Sequence, residues 1–184
     1  MGDHEGRVAS LAGAESKTGF LTDEMIMNYL IRIYDPGCRY LKNVEVNLPS
    51  ARGVFKSDYT YVLAEKLDNG HFSAFENVIA FNQLGYVMCA RALLDGFFPE
   101  LPRLSIQELM SYQMNSMFVL SINNVHYKKP FLATQEFNGK LTIANYVYKP
   151  EKSLILADID FDFGDGKCVG NITVALKMKA RNQA

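Results

Sequence analysis

The segment GHFSAFENVIAFNQLGYVMCA, residues 70–90, constrains the fold of this chain more than any other. Ser73 and Glu76 stand three apart at its start. At that spacing a serine hydroxyl and a glutamate carboxylate each satisfy a backbone amide that a helix start leaves unpaired, so a helix is expected from there onward. Phe75, Val78, Ile79, Tyr86 and Cys89 then mark one face, while Ala74, Ala80, Phe81, Leu84, Val87 and Met88 occupy the others. A helix that is apolar all round is enclosed by other structure rather than laid on a surface.

The rest of the sequence supplies what could enclose it. LTDEMIMNYLIRIY reads as a helix capped by Thr22, with Met25, Ile26, Leu30 and Ile33 in one stripe, and DPGCRY ends it. Residues 41–48 and 53–67 read as extended segments around the turn PSARG. After a short helix near SIQELMSYQM, four strands are expected in NNVHYKKP, GKLTIANYVY, SLILADIDFDF and KCVGNITVALKMKA. Asp165–Gly166 is a hairpin turn signal. It sets a register in which Phe163 faces Cys168, Phe161 faces Gly170, Ile159 faces Ile172 and Ala157 faces Val174, with Asp158, Asp160 and Asp162 on the opposite face. Helices and strands are segregated along the chain, which disfavours a βαβ pattern. The expectation is an α+β domain in which a curved antiparallel sheet wraps one long central helix, the hotdog arrangement. A chain of 184 residues suits a single such domain at 20–184, behind a flexible tail at 1–19 that lacks apolar periodicity.

Composition removes several functional classes. A net charge of -1, with no basic run longer than Lys128–Lys129, gives no reason to expect nucleic acid. Every apolar stretch is broken well before the roughly 20 residues of a membrane span, and the opening MGDHEGRVAS is not a signal peptide. Cys38, Cys89 and Cys168 show no C-x-x-C spacing and read as reduced thiols of a cytoplasmic protein. His4, His71 and His126 have no ligand spacing with cysteines or carboxylates, so no metal is expected.

Within the helix, Asn82 lies four residues before Tyr86 and projects from the same stripe. An unpaired buried amide costs about 1 to 3 kcal/mol, so Asn82 must bond either a sheet carbonyl or a ligand. His71 precedes the helix, where the helix dipole favours a neutral imidazole. Ser73 has no companion base for a catalytic triad, and capping accounts for both Ser73 and Glu76. Tyr34 and Arg39 flank the turn YDPGCRY, where a guanidinium can hold a carboxylate or phosphate.

GCRYL at 37–41, followed by GHFSAFENVIAFNQLGY, resembles the FcoT-type hotdog family of fatty acyl thioesterases and the related (2E)-enoyl-ACP glycyltransferases. The resemblance covers roughly Tyr34 to Pro130. It implies a hotdog fold, an acyl chain in a tunnel beside the central helix, and a homodimer or higher homo-oligomer. The substrate would be a thioester on coenzyme A or an acyl carrier protein, with no cofactor beyond the phosphopantetheine that carries it. Position by position it implies catalytic roles for Tyr34, His71 and Asn82, and substrate contacts at Arg39, Glu65, Ser73 and Glu76. Two positions depart from the family thioesterase, which has Asn at Ser73 and Tyr at Glu65. The function implied is hydrolysis of a fatty acyl thioester. The alternatives are addition of glycine to the β-carbon of an enoyl thioester, and non-catalytic binding of an acyl carrier.

Overall fold

A computed structural model of the chain describes residues 21–58, 70–109 and 116–177. The expectations for residues 1–19 and for Glu65 fall outside that range. Helix α1, Asp23–Leu30, starts at the Thr22 cap, whose hydroxyl accepts from the Met25 amide at 3.2 Å. Two short 3-10 turns, Ile31–Ile33 and Pro36–Cys38, lead into strands β1, Leu41–Asn47, and β2, Ser50–Phe55. The central helix α2 spans Ala74–Asp95, from the Ser73 cap to a left-handed Gly96. Strands β3, Met117–Tyr127, β4, Phe137–Lys149, β5, Leu154–Phe163, and β6, Cys168–Lys177, complete the fold.

The six strands form one antiparallel sheet in the order β1-β2-β4-β5-β6-β3. The β5–β6 register is the one the sequence predicts, from Phe163 opposite Cys168 to Ala157 opposite Val174. On the outer face Thr173 donates to Asp158, Asn171 to Asp160 and the Gly166 amide to Asp162, so all three aspartates have polar partners. Asp165 and Gly166 both sit at positive φ in the hairpin tip, as a primed turn requires.

Elsewhere the structure departs from the sequence reading. The β1–β2 hairpin turns at Leu48–Pro49, and most of PSARG belongs to β2. Strand β3 begins at Met117, six residues before the expected NNVHYKKP; MFVLSI, apolar at every position but Ser121, lacks the alternation that marks a strand in the sequence. Of SIQELMSYQM, residues 106–109 are helical, and 110–115 lie outside the described range.

The core lies between α2 and the inner sheet face. Phe55, Phe72, Phe131, Phe137 and Phe163 form an aromatic cluster at one end, with Phe55 and Phe137 stacked at 5.3 Å between centroids. Gly139 admits this cluster, since a Cβ there would lie 2.6 Å from the rings of both Phe55 and Phe163. The helix is not enclosed on every side, however. Phe75 is 56% exposed, and Val78, Ile79, Asn82 and Tyr86 are only partly buried. The reason is positional: α2 packs on β1, β2 and β4, so the β6–β3 side of the sheet has less cover. Edge strand β3 accordingly exposes Phe118, Val119, Leu120, Ile122 and Tyr127.

Candidate active site

The site is assembled from α2 and the loop that follows α1. Arg91 of α2 fixes the start of α1 by pairing with Asp23 at 2.6 Å and donating to the Leu21 carbonyl at 2.7 Å. The other Asp23 carboxylate oxygen accepts from the Val46 amide at 2.7 Å, so one carboxylate joins α1, α2 and β1. Beyond the loop, Gln83 makes the second attachment. Its Nε2 donates to the Cys38 carbonyl at 2.6 Å and its Oε1 accepts from the Leu41 amide at 2.9 Å. Gln83 is fully buried, and these bonds clamp both ends of the GCRYL segment to the middle of α2.

Arg39 lies inside that clamp. Its Nε donates to the Tyr34 carbonyl at 2.9 Å and Nη2 reaches the Arg32 carbonyl at 3.4 Å. The guanidinium is therefore engaged with its own loop, where it holds the backbone beneath Tyr34. The sequence suggests an anion-binding fork at this position; within the folded chain two of the guanidinium nitrogens, Nε and Nη2, meet backbone carbonyls. The Tyr34 side chain is partly buried against the core. Burial first, and the neighbouring Tyr86 phenol second, raise its pKa well above the ordinary tyrosine value.

Tyr86 opens onto a cavity of about 250 Å³. Asn82, Gly85, Tyr86 and Cys89 supply its α2 wall, with Phe81 beside them. Met117, Phe118 and Val119 of β3, Ile159 of β5, and Val174 and Leu176 of β6 form the opposite wall. Asn82 meets no hydrogen-bonding partner among the described residues, so its amide is left available to whatever occupies the cavity. Burial raises the pKa of Tyr86, with a smaller contribution from Cys89, and pushes the Cys89 thiol up to about 12. At neutral pH these are neutral phenols and a neutral thiol. A thiolate nucleophile is absent from this wall, because the thiol is a weak nucleophile until it ionises. What the wall offers is a set of uncharged hydrogen-bond donors beside an apolar space.

The remaining sequence candidates gather at the start of α2. The Ser73 amide donates to Glu76 Oε2 at 3.0 Å, the Ser73 hydroxyl bonds the same oxygen, and the Phe75 amide donates to Ser73 Oγ at 3.2 Å. This is the predicted capping box, and it occupies a Glu76 carboxylate that is fully buried. His71 is exposed, and its backbone forms an antiparallel bridge with Leu132. Asn82 lies about 13 Å beyond Ser73 along the helix axis at 1.5 Å per residue. Within one chain the structure thus sets Asn82 on the cavity wall with Tyr86, whose phenol neighbours that of Tyr34, and places His71, Ser73 and Glu76 at a separate point. Sequence reasoning assigned Tyr86 and Cys89 to packing and gave Gln83 no role. Their spacing from Asn82, four and seven residues, was the available signal for the two pocket residues.

An antiparallel sheet wrapped in this order around one long helix is the hotdog class of fold. Within that class the chain belongs to the FcoT-like thioesterase domain family, whose family model matches residues 29–176. It is similar to a (2E)-enoyl-[ACP] glycyltransferase of Streptomyces coeruleorubidus, 20% identical over 84% of this chain and 97% of that protein. The protein of the same description from Mycobacterium tuberculosis H37Rv is 28% identical, over 70% of this chain and 69% of its own length. Among solved structures, a thioesterase superfamily protein from Shewanella loihica shares 14% identity at a TM-score of 0.45, covering 76% of this chain and 91% of that one. Zebrafish thioesterase superfamily member 2 shares 10% at 0.47, covering 86% and 98%.

Proposed function

We propose that this protein processes an acyl thioester carried on the phosphopantetheine of coenzyme A or an acyl carrier protein. The observation that carries the proposal is Asn82, a half-buried amide on a cavity wall with no partner in the described protein. The thioester carbonyl would accept from the Asn82 amide, with the neutral phenols of Tyr34 and Tyr86 supporting the same oxygen. Donors aimed at an oxygen where negative charge develops lower the barrier most when water is excluded. Hydrolysis develops that charge when water attacks the carbonyl carbon, which then expels the pantetheine thiol. No covalent enzyme intermediate is needed, in keeping with a protonated Cys89.

A second reading is supported by the names of the curated relatives. In conjugate addition the glycine nitrogen attacks the β-carbon of an enoyl thioester, negative charge again collects on the thioester oxygen, and a proton is delivered to the α-carbon. The same donors serve either course. In this second reading the base for the glycine ammonium is exposed His71 brought to the site by a second copy, because within one chain His71 lies apart from Asn82.

Intact mass spectrometry of acyl-carrier and enoyl-carrier substrates, incubated with and without glycine, separates the readings. Loss of the acyl group supports hydrolysis, and a mass gain of one glycine supports addition. His71→Ala should then abolish the adduct. Substrates unchanged under every condition would overturn both and leave an acyl-carrier-binding protein.

The exposed strip on β3 supports one further element of this reading, a homodimer paired along that edge. A long apolar edge strand is a template for another strand, and a second copy is the partner always present. Light scattering at micromolar concentration should give at least the dimer mass, and a monomer would remove this element.

A further inference from the structure

We infer that the cavity is built for an unbranched acyl chain of about eight carbons, and that Gly85 sets its depth. The inference rests on the acyl-thioester reading of the site. Its first support is volume: at about 30 Å³ for each water-sized group, a cavity of 250 Å³ holds about eight such groups. The lining supports the same ligand. Beyond the polar positions Asn82, Tyr86 and Cys89 the described lining consists of Phe81, Met117, Phe118, Val119, Ile159, Val174 and Leu176, with no charged side chain among the described residues. Such a wall favours methylene groups and offers nothing to a charged tail.

The second support is the glycine itself. Gly85 lies in the interior of α2, where glycine is less favourable than alanine because it loses more backbone freedom on folding. Packing does not demand it. A Cβ there would meet the Phe81 ring at 3.6 Å and Leu141 at 3.8 Å, both ordinary contacts, and φ is not in the left-handed region. Gly85 lines the cavity, and the methyl group it lacks would stand beside Phe81, another residue of the same lining. Gly85 is therefore a specificity-determining residue, with its missing methyl group forming part of the room for the end of the chain. Ile159, fully buried on β5, closes the space from the sheet side.

The test measures binding without turnover, using calorimetry with non-hydrolysable acyl-pantetheine thioethers of increasing chain length. Affinity should rise about fourfold per added methylene, the value of burying one such group, and level off near eight carbons. Gly85→Ala should raise the melting temperature and bring the plateau one or two carbons earlier. Ile159→Val, a conservative truncation, should move it about one carbon later. Continued gain beyond twelve carbons in the unmodified protein would overturn the inference, as would a plateau indifferent to both substitutions. If Gly85→Ala fails to fold, Ile159→Val decides alone. Failure of the functional reading looks different. A length plateau in a protein that neither hydrolyses nor adds glycine leaves this inference standing, whereas turnover with no length dependence removes it.

Discussion

Asn82 and Gln83 carry the same carboxamide on consecutive residues of one helix, yet the fold treats them in opposite ways. Gln83 is fully buried, and both ends of its amide are engaged by the GCRYL segment. Asn82, rotated about 100° around the axis, faces a cavity and meets no described partner. The difference separates architecture from candidate chemistry within a single helical step. An amide that holds the fold together has protein on both its donor and its acceptor. An amide kept for a ligand is left unsatisfied until the ligand arrives.

The most severe test of this contrast is Asn82→Leu. Leucine is of similar size and apolar, and no described protein group loses a partner when the amide is removed. Stability should therefore be unchanged or slightly higher. Turnover should fall by roughly a hundredfold to a thousandfold, the range for removing one donor to a developing oxyanion. Thermal unfolding and steady-state turnover on the same preparation check both halves. A variant that is destabilised and still active would show that Asn82 serves the fold after all, and the contrast with its neighbour would disappear.

Gln83→Leu is the opposite experiment. It leaves the Leu41 amide and the Cys38 carbonyl without the partner they have in the intact protein, and each buried orphan costs about 1 to 3 kcal/mol. A loss of about 2 to 4 kcal/mol is expected in denaturant unfolding, seen as a lower midpoint at unchanged slope. Activity per folded molecule should fall much less than in Asn82→Leu, because Arg39 still holds the Tyr34 backbone from within its own loop. A stable but inactive Gln83→Leu would mean that Gln83 belongs to the chemistry.

How far these roles were legible in the sequence depended on distance along the chain. The capping box spans three residues, the β5–β6 register follows from one turn and two alternations, and both were readable because their rules are local. Gln83 was not readable, since its partners lie 42 and 45 residues away and an amide on a helix carries no mark of what it will meet. The Arg39 contacts were hidden for the same reason: a guanidinium in a loop carries no mark of the carbonyls that the folded loop offers it. Tyr86 and Cys89 share the stripe of Asn82, but hydrophobic periodicity is the same for a core and for the wall of a cavity. The exposed apolar edge at β3 was hidden in a run whose lack of alternation gave no strand boundary.

The smallest expected effect belongs to Ser73, where capping and substrate contact make different predictions. Ser73→Ala removes the hydroxyl that accepts from the Phe75 amide and meets buried Glu76. Loss of an N-cap costs about 0.5 to 2 kcal/mol, and the upper part of that range is expected here because Glu76 loses a donor as well. The Ser73 amide still bonds the carboxylate in the variant, so Glu76 is not left wholly unpaired. Turnover per folded molecule should be nearly unchanged. Ser73→Asn sharpens the test, because asparagine caps a helix as well as serine does and stands at this position in the family thioesterase that the sequence resembles. If Ser73 is only a cap, that variant should match the unmodified protein in both melting temperature and rate. If hydrolysis instead rises severalfold at unchanged stability, position 73 faces the substrate, and the start of α2 joins Asn82 as part of the site rather than Gln83 as part of the frame.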